Sequence, residues 1–299
     1  AGKHCFCEKP MAASYVDAKT MYEAWEKYSK PQGKEFGIQI SSLYSGQTRL
    51  AKRMIENGEL GHVYYARSIG HRRRGRPGLD MVDLSPDFYS AEFAGHGALF
   101  DMGIYHIAQL LFIMGLPTLK SVSGSVFTEI EQSEKLLAGR KFEVEELGLG
   151  FAKYEGGLTL DVMESWALHM DEVGDTFIAG SKGGLRFYRE PARPLGPGGP
   201  GGGMPEGGLR FMTIQNGRNI DIDLMVGGNS MYEHAESPEL KYYDENHAHW
   251  YAYLSGLIPE RYPTEKIALE TAKVSEGIFL SSKLGREVTA DEIEELSTS

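Results

Sequence analysis

Two short apolar runs bracket a helical pattern at the start of the chain. Residues 4–8 (HCFCE) and 36–40 (FGIQI) read as strands. Between them Ser14 can cap a helix reaching about Lys30, with Ala18, Met21, Tyr22 and Trp25 on one face. Strand–helix–strand predicts the tail of a parallel, doubly wound domain. A further helix, from about Ser45 to Asn57, carries Leu50, Met54 and Ile55 on its apolar side and stops at Gly58. The pattern then turns to strands at 62–70, 119–130, 146–154, 158–168, 175–180, 184–189, 209–215 and 218–224. One helix, 97–114, interrupts them, and helices at 244–256 and 264–284 follow. Gly156-Gly157 and Asn216-Gly217 stand where hairpins would turn. The fold class predicted is α/β followed by α+β. Residues 1–42 end a parallel-sheet domain, and residues 43–299 form a second domain with a predominantly antiparallel sheet.

The segment 195–208 (LGPGGPGGGMPEGG) formally contains G-x-G-x-x-G at Gly196, Gly198 and Gly201. A phosphate-binding loop must join a strand to a helix, so that helix N–H groups meet the phosphates. Pro197 and Pro200 lie within the match and no helical pattern follows, so the segment reads as a surface insertion between strands.

Composition narrows the function classes. A net charge of -11 disfavours a nucleic-acid surface. No apolar run approaches the length needed to cross a bilayer, and no basic-then-apolar leader opens the chain. The two cysteines, Cys5 and Cys7, lie two apart on one strand and suit reduced, buried thiols in a cytoplasmic protein rather than a bond to each other. His169, His247 and His249 show no spacing that ties them to Asp101, so no metal site is expected.

The candidate chemistry begins at Glu8-Lys9-Pro10, at the carboxyl end of the first strand, the edge where open α/β sheets bind ligands. On the 97–114 helix Asp101 and Tyr105 are four apart and share a face, while His106 is turned about 100° from Tyr105. Arg72, Arg73, Arg74 and Arg76 are the densest positive cluster. They suit a solvated loop pairing with Asp80 and Asp83, or a grip on a substrate anion or hydroxyl. Glu164 and Trp166 share one face of a strand end; Trp166 could stack on a sugar or pack in the core.

Three stretches together, AGKHCFCEKPMA, GELGHVYYARS and GHGALFDMGIYHIAQLLFIMG, resemble the Gfo/Idh/MocA family of nicotinamide-dependent oxidoreductases. ESWALHMDE (164–172) and GSKGGLRF (180–187) are similar to the substrate-domain sheet of that family. The resemblance implies a Rossmann domain whose amino-terminal part, somewhat under about a hundred residues at roughly 30 per βαβ unit, precedes Ala1. It implies hydride transfer between NAD or NADP and a sugar, polyol or related hydroxy compound, in a homo-oligomer that engages neither nucleic acid nor membrane. Lys9 would serve as a catalytic cation, with Glu8 and Pro10 shaping the cofactor-side turn around a cis Lys9–Pro10 bond. The family pattern Asp-x-Gly-x-His reads here Asp101-Met102-Gly103-Ile104-Tyr105. Tyr105 therefore takes the acid/base role and Asp101 orients substrate hydroxyls or balances the lysine charge. His106 is the rival base, and with Arg72 and Trp166 it forms the candidate substrate-contacting set. Two alternatives remain open on the same scaffold: a relative that uses NAD transiently to cleave glycosides, and a non-catalytic sugar-sensing or partner-binding protein.

Overall fold

The computed structural model describes residues 2–189, 207–224, 226 and 234–299. In chain order its elements are β1 (Cys5–Cys7), α1 (Tyr15–Ala24), β2 (Phe36–Ile38), α2 (Gly46–Glu56), β3 (Val63–His71), α3 (Ala91–Ala94), α4 (Ala98–Asp101), α5 (Gly103–Ile113), β4 (Leu119–Phe127) and α6 (Glu134–Leu137). There follow β5 (Leu147–Tyr154), β6 (Thr159–Ser165), β7 (Phe177–Gly180), β8 (Gly183–Arg189), β9 (Gly207–Gln215), β10 (Arg218–Leu224), α7 (Asn246–Leu254), α8 (Thr264–Leu284), β11 (Val288–Thr289) and α9 (Ala290–Leu296). The chain divides into two compact units. One comprises Ala1–Ile40, Ser68–Gly174 and Pro263–Ser299, the other Ser41–Arg67 and Asp175–Tyr262.

In the first unit β1 and β2 pair in parallel, as the strand–helix–strand pattern predicts. Ser14 caps α1, its hydroxyl accepting from Asp17 N at 3.2 Å. Ala18 and Trp25 are buried as expected, whereas Met21 is exposed and Tyr15 takes an inward place instead. The larger sheet here runs in the order β3-β6-β5-β4-β11, β3 contributing Ser68–His71. The β4–β5, β5–β6 and β4–β11 pairings are antiparallel. Helix α8 packs on β4 and β5 and against α1 and α5. Its Ile278 is fully buried over Gly124 and Gly150, where an added Cβ would stand 2.7 and 2.6 Å from the isoleucine carbons. The two strand glycines thus set how closely α8 approaches the sheet.

In the second unit the order is β10-β9-β8-β7-β3, with antiparallel pairings throughout. Asn216 and Gly217 both have positive φ (52° and 74°), the geometry that a two-residue β9–β10 turn needs. Ser45 caps α2.

Several expectations are corrected. The predicted 97–114 helix is two helices broken at Met102. The chain continues past 284 into β11 and α9, a two-residue strand and a seven-residue helix too short for periodicity to reveal. Cys5 is exposed and Cys7 partly buried, with their Sγ atoms 3.3 Å apart, because alternate strand residues share a face. Of the Gly/Pro-rich segment, 195–206 lies outside the described residues, and Gly207 and Gly208 already belong to β9. No helix among the described residues is long and apolar enough to cross a membrane.

Candidate active site

Four segments of the first unit meet around one ion pair. Lys9 leaves the carboxyl end of β1, and its Nζ lies 2.7 Å from Asp101 Oδ1 at the end of α4. The same Nζ donates to the Asp101 carbonyl at 3.2 Å. That carbonyl would accept from Tyr105 N in an unbroken α-helix. Tyr105 N instead bonds Met102 O at 3.0 Å, so the helix tightens by one residue where the lysine enters. The ammonium also stands 4.6 Å from the centroid of the Tyr105 ring. Lys9 and Asp101 side chains keep only 14% and 15% of their surface exposed. Burial acts to lower the Lys9 pKa, but the Asp101 carboxylate and Tyr105 outweigh it and hold the ammonium above its ordinary value.

The second Asp101 oxygen is also taken. Trp166 Nε1 donates to Oδ2 at 2.9 Å. The Trp166 ring is fully buried, so it offers no open face for a sugar. Of the two readings of Trp166, its burial favours packing in the core, from where the indole holds Asp101. Two residues earlier on the same face of β6, Glu164 is fully buried and its Oε2 meets His106 Nδ1 at 2.9 Å. Ser68 Oγ donates to the other Glu164 oxygen at 3.2 Å. The tip of β6 therefore anchors both Asp101 and His106, the residues flanking Tyr105.

α4 is placed by a buried carboxylate. Glu145 accepts from Gly97 N at 2.8 Å and from Leu99 N at 3.0 Å. Burial raises the Glu145 pKa, against the opposing pull of His96 and those N–H groups. Gly97 is required here: a Cβ would lie 1.9 Å from Glu145 O. Beside this arrangement lies a cavity of about 350 Å³, whose lining includes Pro10, Phe93, His96, Phe100 and Asp101. Its mostly apolar wall and few polar groups suit a small organic ligand.

The structure thus brings Lys9, Asp101 and Tyr105 together, with His106 and Trp166 engaged from behind. The Lys9–Pro10 bond is cis. Glu8 is exposed. Arg72 is not part of the group: its guanidinium bonds Gly75 O in its own loop at 3.0 Å. Of the other arginines, Arg73 and Arg74 are exposed and Arg74 and Arg76 pair with Asp80 as the solvated-loop reading expects, and only the burial of Arg76 corrects it. Arg76 is fully buried, donating to both Asp80 oxygens at 2.7 and 3.1 Å and to Glu146 at 3.1 Å, because a buried guanidinium needs every donor occupied. Arg74 pairs with Asp80 and Arg73 with Asp171. His169 is exposed, and among the described residues no group of three His, Cys, Asp or Glu side chains could hold a metal ion.

Sequence reasoning missed Ser68, Gly70 and His96 at this site. For Ser68 and Gly70 one signal existed: Glu164 occupies an inward position of an apolar strand, and a buried carboxylate demands partners. Nothing in the local sequence names those partners.

Residues 48–186 match the family model described as GFO/IDH/MocA C-terminal domain. D-glucoside 3-dehydrogenase of Escherichia coli (strain K12) is 26% identical over 197 residues, 63% of this chain and 53% of that protein. Among solved structures, levoglucosan dehydrogenase in complex with NADH and levoglucosan shares the fold with a TM-score of 0.71 at 18% identity, covering 97% of this chain and 74% of that one. An NAD binding oxidoreductase from Klebsiella pneumoniae gives a TM-score of 0.70, also at 18% identity and with the same coverage of each chain. The chain spans about half the length, or less, of the curated relatives it matches.

Proposed function

We propose, from the match of residues 48–186 to the GFO/IDH/MocA C-terminal domain model, that the protein is a nicotinamide-dependent oxidoreductase acting on a sugar or polyol hydroxyl. Residues 1–42 are then the end of a dinucleotide-binding domain and residues 43–299 the substrate domain, in a homo-oligomer. The observation that carries this reading is the meeting of Lys9 with Asp101 and Tyr105 at the carboxyl end of β1.

The residues present fit part of such a cofactor. Small and apolar side chains, Pro10, Ala12, Ala13 and Phe100, line the cavity beside Asp101, as a flat ring would need. No strand-to-helix turn among the described residues carries G-x-G-x-x-G for its phosphates. The bound nicotinamide supplies the two-electron acceptor, so that an alcohol and NAD(P)⁺ give a carbonyl compound, NAD(P)H and a proton. The chain's own residues handle the proton and the charge. Lys9, kept protonated by its partners, stabilises negative charge developing on the substrate oxygen. Asp101 fixes the ammonium in place and is itself held by Trp166. The Tyr105 hydroxyl, under the same ammonium, relays the substrate's hydroxyl proton, taking it up as its own O–H proton passes to solvent.

The test is to incubate the complete gene product with NAD⁺ or NADP⁺ and a panel of free sugars, D-glucosides, anhydrosugars and polyols, following absorbance at about 340 nm. Growth of the reduced-cofactor band with one substrate class supports the reading. Release of a free sugar without net cofactor reduction would replace it with glycoside cleavage, and sugar binding without turnover would replace it with a sensing role.

A further inference from the structure

His96 stands in the wall of the cavity beside Asp101 with one ring nitrogen unused. Its side chain keeps only 8% of its surface exposed. The ring stacks on Phe100, with centroids 4.4 Å apart, and meets Phe279 edge to face at 4.6 Å. Nε2 faces Glu276 Oε2 at 3.4 Å, and that same oxygen accepts from Tyr15 N at 3.2 Å, at the start of α1. Nδ1 is buried and has no partner among the described residues. Of the buried side-chain polar atoms left so, it alone belongs to a residue lining this cavity. An unmet buried polar atom is costly and marks a place where a partner belongs. The backbone on either side leaves the ring little freedom. An added Cβ at Gly95 would collide with Ala13 O, and one at Gly97 with Glu145 O. His96 is thus clamped between the 10–13 loop, which also lines the cavity, and the residue whose carboxylate holds α4. A carboxylate only accepts, so the hydrogen sits on Nε2 and Nδ1 carries the lone pair.

We propose that His96 is a ligand-binding residue of this cavity, its Nδ1 accepting a hydrogen bond from a neutral N–H or O–H donor on a ring-shaped ligand. The proposal rests on the oxidoreductase reading and names what that ligand must offer. Two groups of this chemistry belong to the proposed reaction: the carboxamide of a nicotinamide and a hydroxyl of a sugar. The Asp101 oxygens are already engaged by Lys9 and Trp166, so Nδ1 is the buried acceptor of the wall still unpaired among the described residues. The role is selection and orientation, with no proton changing hands. A ligand presenting a carboxylate or phosphate at this place meets a lone pair and is disfavoured.

The test observes the nitrogen itself. Long-range ¹H–¹⁵N spectra of the histidine-labelled complete gene product, assigned with His96→Phe, are recorded free, with NAD⁺ or NADP⁺ alone, and with a D-glucoside or an anhydrosugar alone. The free protein should show His96 in the Nε2–H form. The ligand that carries the donor should move the Nδ1 signal and leave Nε2 in place. A shift with the dinucleotide assigns the carboxamide, and a shift with the sugar assigns the hydroxyl. Calorimetric affinity is the second readout. His96→Phe keeps the stacking on Phe100, deletes the nitrogen and should weaken that ligand about two- to tenfold. His96→Asn returns an acceptor near the Nδ1 place and should recover most of the loss, whereas His96→Gln, whose amide reaches the Nε2 place, should not. A ligand that binds without moving Nδ1, a free protein with hydrogen on Nδ1, or equal affinity in His96→Phe overturns the proposal and leaves the oxidoreductase reading intact. A protein that binds neither dinucleotide nor sugar sinks that reading and the proposal with it.

Discussion

The indole Nε1 of Trp166 donates to Asp101 Oδ2 at 2.9 Å, the oxygen that Lys9 does not occupy. The carboxylate is thereby held from two sides, one oxygen to each partner. Trp166→Phe keeps most of the buried ring and deletes the N–H. A hydrogen bond to a charged group is worth about 1.5–3 kcal/mol, so the expected result is a roughly tenfold or greater loss in kcat/KM. A steady-state comparison with wild type checks this, and an unchanged value would show that Lys9 alone orients Asp101.

Removing the hydroxyl of Tyr105, the proposed acid/base, should be more severe. Tyr105→Phe keeps the ring beneath Lys9 and should cut turnover about a hundredfold or more. Lys9→Met should do at least as much, because the charge that would meet the developing alkoxide is gone. An unchanged rate in Tyr105→Phe would hand the acid/base role to His106 alone.

Arg76 supports the unit that holds the site. Its guanidinium is buried against Asp80 and Glu146. Truncation by Arg76→Ala leaves the buried Glu146 without its cation and Asp80 with only the exposed Arg74, for which about 3–5 kcal/mol of destabilisation is expected. Urea unfolding measures it. Replacing all three groups with apolar side chains of similar volume should cost far less.

The second unit carries its own pH dependence. His249 Nε2 accepts from Tyr262 N at 3.0 Å, and Nδ1 donates to Tyr242 O at 3.2 Å. Burial, opposed by the Tyr242 carbonyl and aided by the Arg261 charge, lowers its pKa from 6.5 to about 4. The unfolded chain takes up this proton first. The histidine's contribution is therefore complete above about pH 6.5 and is lost as pH falls toward 4, by up to about 3 kcal/mol. Urea midpoints at pH 7.5 and pH 5 should differ in that direction, and His249→Gln should flatten the difference.

The readable parts of the sequence were those governed by local rules. Ser14 caps its helix as expected, the helix near Ser45 forms, Asn216-Gly217 turns a hairpin, and the strand around Cys5–Cys7 lies parallel to that at Phe36–Ile38. Lys9, Asp101 and Tyr105 were identified by motif, and two of them by helical spacing. The break at Met102 was not visible, because its cause is a lysine from far away in the chain that takes the Asp101 carbonyl. Trp166 stayed open between stacking and core packing because residue type alone does not report burial. The burial of Arg76 was not legible, because its second partner, Glu146, is remote in sequence.

Glu164 and Trp166 alternate with the pleat of β6, where Gly148 faces Glu164 across the ladder to β5. Such a ladder tolerates no half-steps: a shift by one residue exchanges its two faces. A single-residue deletion between the Gly156-Gly157 turn and Glu164 would leave every side chain around Lys9 chemically intact. It would nevertheless turn both anchors away from Asp101 and His106 together. The fidelity of the site is written in the alignment of two neighbouring strands.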